Sequence, residues 1–229
     1  MRVPKEIIAL NTEGIEHLRR GSFDDALRCF RTASFALNTV NQEPKRCPKI
    51  QICSVLPFLP VSLTLVLESQ FTRLSPNNMF MMYQHALSFG YDSFISQNEA
   101  SVGVVIMFNM GLTHHIMAMT SLASRPSTAF DRALKCYKTA LSLFDTIKDP
   151  IKDPIAESQF VLPTLALLVN MGHIYSHHCR RSETGACQDN IRLVLESGAS
   201  LCIPEMEEQF FFETLSYSMY LVHSPATAA

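Results

Sequence analysis

The sequence predicts a mainly α-helical protein, made of packed helix pairs with a short β insertion. Three observations favour this fold class. An eight-residue segment occurs twice, a glycine and an alanine recur at helix-packing spacing, and a proline-rich stretch separates the first helices from the rest. The chain has 229 residues, of which 47 % are hydrophobic and 17 % charged. This composition supplies a substantial core and argues against long disordered regions.

Charge and cysteine usage exclude several classes of function. The net charge of −2 argues against nucleic acid as a partner, because binding phosphate backbones needs a basic surface. The seven cysteines are scattered and form no disulfide framework. The first residues lack the apolar run of a signal peptide. We therefore expect a reducing compartment, the cytoplasm, with the nucleus left open.

The duplicated segment defines the helix pairs. Residues 26–33 (ALRCFRTA) match residues 133–140 (ALKCYKTA) at every position by identity or chemical equivalence. A second, shorter match joins residues 109–111 to residues 170–172, both Asn-Met-Gly. Small residues at Gly14 and Ala26 would let two antiparallel helices approach closely. Gly21 would end the first of them, since glycine tolerates the left-handed conformation of a helix cap.

This spacing resembles the tetratricopeptide repeat family. The matching signature positions of the first pair are Gly14, Gly21, Phe23, Ala26, Phe30 and Ala33. Two positions depart from the pattern: Glu13 replaces a large apolar residue and His17 replaces a tyrosine. The second pair fits with a turn about ten residues too long, through residues 124–127, and the third is degenerate after Arg181. The resemblance implies an α-solenoid of about three helix pairs around a concave groove.

Boundaries follow from these matches. We expect one domain over residues 1–229, since helix pairs bury their apolar faces only by stacking. Its predicted parts are a first pair (4–40), an insertion (41–97), a second pair (98–147), a third pair (155–198) and a C-terminal capping helix (204–222).

The insertion departs from the helical pattern. Residues 42–60 contain four prolines and are predicted to be irregular. Residues 61–68 alternate large apolar and mostly polar side chains, and residues 80–89 partly do so, which is typical of half-buried strands. We predict an antiparallel β-hairpin between these two segments. A helix over residues 79–89 is the alternative.

The predicted function is a protein–protein interaction scaffold, not an enzyme, with no cofactor and no metal. The partner would be a protein or peptide, binding as an extended or helical apolar segment in the groove. An asparagine there can bind a peptide backbone with its amide donor and acceptor, or can equally satisfy a neighbouring helix end. Residues 105–116 and 166–177 contain no Lys or Arg, which argues against a clamp for a terminal carboxylate. The candidate groove residues are Asn11, Asn109, His115, Asn170, His173 and His177.

Two alternatives stay open. His173, His177 and His178 lie close in sequence and could serve a metal-binding protein or an enzyme, although no HExxH or paired CxxC accompanies them. The chain could also self-associate as a homo-oligomeric structural protein.

Two predicted helices, over residues 102–119 and 204–222, are unusually rich in apolar residues. The segment 102–119 contains Asn109, His114 and His115, so we interpret it as a buried helix and expect no membrane span. The C-terminal helix has three consecutive phenylalanines, and no single packed face can cover them all. Phe212 is therefore either covered by the insertion or a possible interface with a partner or a second copy.

Overall fold

A computed structural model describes residues 4–42, 58–61, 80–89, 99–120, 125–147, 160–197 and 203–223. Within these ranges the protein is mainly helical. The elements in chain order are α1 (Lys5–Arg19), α2 (Phe23–Gln42), β1 (Phe58–Val61), β2 (Ala86–Phe89), α3 (Glu99–Met119), α4 (Pro126–Ile147), α5 (Val161–His177), α6 (Arg181–Glu196) and α7 (Glu205–His223). These bounds lie within a few residues of the predicted helix pairs. The third pair was predicted from residue 155, and residues 155–159 lie outside the described ranges.

The chain divides into two compact units. The first comprises residues 1–69 and 84–159, and therefore contains α1 to α4 and both strands. The second comprises residues 70–83 and 160–229, and contains α5 to α7. The insertion thus contributes residues to both units, a division that no sequence pattern indicates.

The turn between α1 and α2 has the predicted glycine cap. Gly21 has φ +74°, and Ser22 donates its backbone N–H to the carbonyl of His17. Ala26 is fully buried. A Cβ built on Gly14 would lie 2.5 Å from the ring of Phe30, so the glycine is required by the close approach of α2.

The second pair repeats this contact. A Cβ on Gly111 of α3 would lie 2.5 Å from the ring of Tyr137 on α4. The turn predicted through residues 124–127 is shorter than expected, because α4 already begins at Pro126. Most of the ten extra residues therefore lengthen the two helices. Helix α4 can begin at Pro126 because a proline at the first helical position costs no hydrogen bond.

Helix α3 forms the centre of the first unit. By length and composition it could cross a membrane, with a mean hydropathy of 1.5, and 78 % of its apolar window is buried inside the protein. Its buried residues lie on all sides of the helix, because α2, α4 and β2 all pack against it. A helix surrounded in this way is apolar all round rather than amphipathic.

The strands pair differently from the prediction. β1 and β2 are antiparallel, with Phe58 opposite Phe89 and Val61 opposite Ala86. The expected strand 61–68 enters this pairing only with its first residue, and residues 62–68 lie outside the described ranges. Residues 58–60, predicted to be irregular for their prolines, are in the strand, and the helix alternative for residues 80–89 is wrong. An edge strand accepts a proline where its missing N–H is not needed.

The second unit consists of α5, α6, α7 and residues 80–83. The turn after α5 resembles the turn after α1. Arg180 donates its N–H to the carbonyl of Tyr175, five residues earlier, as Ser22 does to His17. Cys179 takes the place of Gly21, with φ +56°. Gly172 also faces an aromatic ring, and here the ring belongs to Phe80, 2.8 Å from a built Cβ.

Candidate functional site

Asn109, near the middle of α3, binds the backbone of an extended segment. Its Oδ1 accepts the N–H of Leu87 at 2.9 Å, and its Nδ2 donates to the carbonyl of Leu87 at 2.8 Å. Both polar groups of one residue are therefore satisfied by one side chain. We call such an asparagine, with the residue that it binds, an asparagine clamp.

The amide of Asn109 takes the place of a neighbouring strand. In an antiparallel ladder a residue directs its N–H and C=O to one side, and the next residue directs them to the other. Leu87 directs its groups to Asn109, so its neighbours in β2 direct theirs to β1. Pro60 lies opposite Leu87 in the register, at the position where no N–H is needed for the ladder.

Asn11 of α1 completes the hydrogen bonding in this unit. The second hydrogen of Asn109 Nδ2 goes to Asn11 Oδ1 at 3.0 Å, and Asn11 Nδ2 donates to the carbonyl of Leu87 at 3.5 Å. Both asparagines have no exposed surface. Buried amides are tolerated because their donors and acceptors are paired. The network therefore binds α1, α3 and β2 to one another.

The second unit contains a clamp of the same geometry. Asn170 of α5 accepts the N–H of Tyr83 at 2.8 Å and donates to its carbonyl at 3.1 Å. Asn170 lies two residues before Gly172, as Asn109 lies two residues before Gly111. Two asparagines at matched helix positions thus make the same pair of bonds to an extended backbone.

Side chains of the bound segment belong to the core. Phe80, Tyr83 and Leu87 are at most 1 % exposed. In the second unit the ring of Tyr83 stacks on Phe211 of α7 at 5.4 Å between centroids and meets Phe210 edge-on at 5.5 Å. Burial, followed by the neighbouring buried Glu207 carboxylate, raises the pKa of the Tyr83 hydroxyl well above its usual value. The tyrosine is therefore neutral at any ordinary pH.

The candidate histidines are in different environments. His115 is fully buried, and its Nδ1 lies 3.3 Å from the hydroxyl of Tyr137. His173 is buried, and this burial, with His177 nearby, lowers its pKa to about 3. His177 is exposed, and its ring lies against that of His178 at 5.5 Å. His115 and His173 are therefore core residues, not accessible to a partner in this structure.

The cluster of His173, His177 and His178 does not converge on a common point. Within the described residues, the metal-ligand atoms of three side chains come together only at Glu13, His17 and Cys29. The arrangement of the histidines in the described residues thus gives no support to a metal site at this cluster.

Phe212 stays exposed. The insertion covers its neighbours Phe210 and Phe211 through Tyr83, while Phe212 is 45 % exposed. Its role as an interface stays a prediction, and the expectation that the insertion covers it does not hold for the described residues.

The asparagines could be identified from the sequence, whereas the segment that they bind could not. One sequence feature could have indicated that segment: the third pair lacks an aromatic residue at the position of Phe30. The residue sixteen positions after Gly14 is Phe30, whereas the residue sixteen positions after Gly172 is Gln188. The third pair lacks an aromatic ring for its glycine, and Phe80 supplies one. Comparison with family models, with curated proteins and with solved structures finds no match to this chain.

Proposed function

We propose that the protein is an interaction scaffold of the tetratricopeptide-repeat type, whose buried asparagines bind the backbone of an extended apolar segment. One observation carries this proposal: Asn109 and Asn170 each bind both backbone polar groups of a single residue in an extended chain. Main-chain bonds of this kind give affinity, and pockets for alternate side chains give specificity, when proteins bind a peptide as an added strand.

Residues of the chain itself already bond with these amides: Leu87 with Asn109, and Tyr83 with Asn170. A partner segment has to displace them, and the internal segment has the advantage of an effective concentration that can reach the millimolar range. It also buries Leu87 completely. We therefore propose that a partner carries an extended segment with an apolar residue at the position of Leu87, and competes for the amide of Asn109.

The resemblance in sequence supports the same reading. Gly14 and Gly111 each lie against an aromatic ring of the second helix of their pair at a spacing too short for a Cβ, and Gly172 lies in the same way against Phe80 of the insertion. Such a contact is expected where helix pairs share one packing plan. The chain would then be a short helical-repeat protein with one segment of its own bound on the helices that offer the asparagines.

A peptide-binding measurement tests the proposal. A fluorescent peptide with the sequence of residues 80–89 is added to the full-length protein, and anisotropy reports binding. Leu87→Ala weakens the internal segment and leaves the asparagines intact, so we expect the peptide to bind at least tenfold more tightly than to wild type, about 1.4 kcal/mol. Leu193→Ala is the matched control, because Leu193 is 62 % exposed.

Asn109→Ala in the Leu87→Ala background removes one clamp and should abolish the gain in affinity. Equal peptide affinity with and without Asn109, or no binding to any variant, would contradict the proposed function. Affinity capture with the same two variants then identifies partners as proteins enriched only when Asn109 is present.

A further inference from the structure

We propose that Glu13, His17 and Cys29 form a binding site for one zinc-class divalent ion on the first helix pair. In the sequence, Glu13 and His17 stand out only as departures from the repeat pattern, and Cys29 lies in the duplicated segment. The site is separate from the asparagine clamps and does not depend on the proposed function.

The three side chains converge from two helices. Glu13 and His17 are one turn apart on α1, so they lie on the same face. Cys29 lies on α2 and faces them. One ligand atom from each residue lies within 4.8 Å of the other two, and His17 Nε2 is 3.8 Å from Glu13 Oε1.

These distances are close to those of a bound zinc ion. Three donors bonded tetrahedrally at zinc bond lengths lie roughly 3.5 Å apart, so the atoms need to approach by about an ångström. The side chains of Glu13 and His17 are 61 % and 24 % exposed and have room to rotate. Cys29 is 6 % exposed and fixed in place. An oxygen, a nitrogen and a sulfur donor with an open fourth position is a set that zinc binds in proteins.

The other two helix pairs show what distinguishes this site. The thiol is common to all three, since Cys187 follows Gly172 at the spacing by which Cys29 follows Gly14, and Cys136 takes the place of Cys29 in the duplicated segment. The positions of Glu13 and His17 are Met110 and His114 in the second pair, and Met171 and Tyr175 in the third. A buried cysteine is therefore a packing feature of the fold. Among these three pairs, only the first has both a carboxylate and an imidazole beside its cysteine.

The surrounding charges also favour a cation in the first pair. Glu13 and Asp25 are the acidic groups near Cys29, and the nearby Arg28 is paired with Asp25 at 2.8 Å. Beside the second pair, Arg31 of α2 and Arg132 of α4 lie near His114 and oppose a cation there. The two positions at which α1 departs from the tetratricopeptide pattern are those that add a carboxylate and an imidazole.

Cobalt substitution tests the site. Metal-free full-length protein is titrated with Co²⁺, and the sulfur-to-cobalt charge-transfer band in the near ultraviolet reports a thiolate ligand. Zinc is then added to displace the cobalt, and elemental analysis gives the stoichiometry. We expect one equivalent of metal and a band that zinc removes.

Matched variants assign the band to these residues. Cys29→Ser should abolish it, whereas Cys136→Ser and Cys187→Ser, at the equivalent positions, should leave it unchanged. Because Cys29 is buried, the double variant Glu13→Gln/His17→Gln provides a second test with the core intact, and we expect it to weaken cobalt binding at least tenfold. A band that persists in Cys29→Ser, a double variant with wild-type affinity, or a wild-type protein without a thiolate band would overturn the proposal.

Discussion

Replacing Asn109 by alanine should destabilise the first unit more than any ordinary surface change. The substitution removes the partner of the Leu87 N–H and the donor to Asn11 Oδ1, both in a site with no exposed surface. The Leu87 carbonyl keeps only the 3.5 Å bond from Asn11. Each unpaired buried group costs about 1–3 kcal/mol, and a water molecule in the vacated space can recover part of this. We expect a loss of about 2–4 kcal/mol in the free energy of unfolding.

Asn109→Asp separates the hydrogen-bond pattern from side-chain volume. An aspartate can accept the Leu87 N–H, but when ionised it directs an acceptor at the Leu87 carbonyl instead of a donor. Burial raises the pKa of such a carboxyl in the folded state above its unfolded value, because desolvation disfavours the charge. The protonated form can donate to the carbonyl. The deficit relative to wild type should therefore be largest above the folded pKa and should shrink as the pH falls through it.

Urea unfolding of the three proteins, compared at each pH, measures these differences. Asn190→Ala is the control, since Asn190 is exposed on α6 and bonds only within its own helix in the described structure. A loss of less than about 0.5 kcal/mol in Asn109→Ala, the usual effect of a surface substitution, would contradict the expected role of this amide. An Asn109→Asp variant as stable as wild type at neutral pH would contradict it as well.

Three further predictions concern the glycines, the turn after α5 and a buried histidine. Gly111→Ala should lower the melting temperature because its Cβ would lie 2.5 Å from an aromatic ring. Gly185→Ala, whose Cβ would meet nothing within 4 Å, should raise the melting temperature, because helix propensity stabilises the fold by up to about 1 kcal/mol. Cys179→Gly should stabilise by about 1 kcal/mol, since φ +56° is costly for a side chain, and Gly21→Ala should destabilise by a similar amount; opposite signs in thermal unfolding would contradict this. His173 has a folded pKa of about 3, below its unfolded value of 6.5, so its contribution to stability is complete above pH 6.5 and declines as the pH falls toward 3. His173 should add up to about 1.4 kcal/mol per pH unit to the slope, so urea unfolding between pH 7 and pH 5 should show a slope smaller by about that amount in His173→Gln than in wild type, while His114, with its pKa of about 4, keeps its own contribution in both proteins.

The helices could be predicted because their packing depends on local spacing. Gly14, Ala26 and Phe30 mark where two helices approach, and the structure has them in contact or buried as expected. Because residues 133–140 match residues 26–33, the same packing could be predicted for α3 and α4. The spacing of these small and aromatic residues lies within one helix pair, so the packing can be predicted without knowledge of contacts that are distant in sequence.

The partners of the insertion could not be predicted because they are distant in sequence. The prolines before residue 61 indicated irregular structure, yet Pro60 lies where the ladder needs no N–H. Asn109 was recognised as able to bind a peptide backbone, but nothing in the sequence said that the backbone was that of Leu87. The binding of a separate partner stays a prediction.

The clamp in the second unit has a consequence for synthesis of the chain. Tyr83 and Asn170 are 87 residues apart. At 5–20 residues per second, about 4–17 s pass between translation of the tyrosine and translation of its asparagine. During that interval Phe80 and Tyr83 have neither the helix nor the aromatic partners that cover them in the finished protein. The nascent chain therefore carries an apolar, strand-forming segment before its second unit can fold, and shielding by a ribosome-associated chaperone would protect it from aggregation.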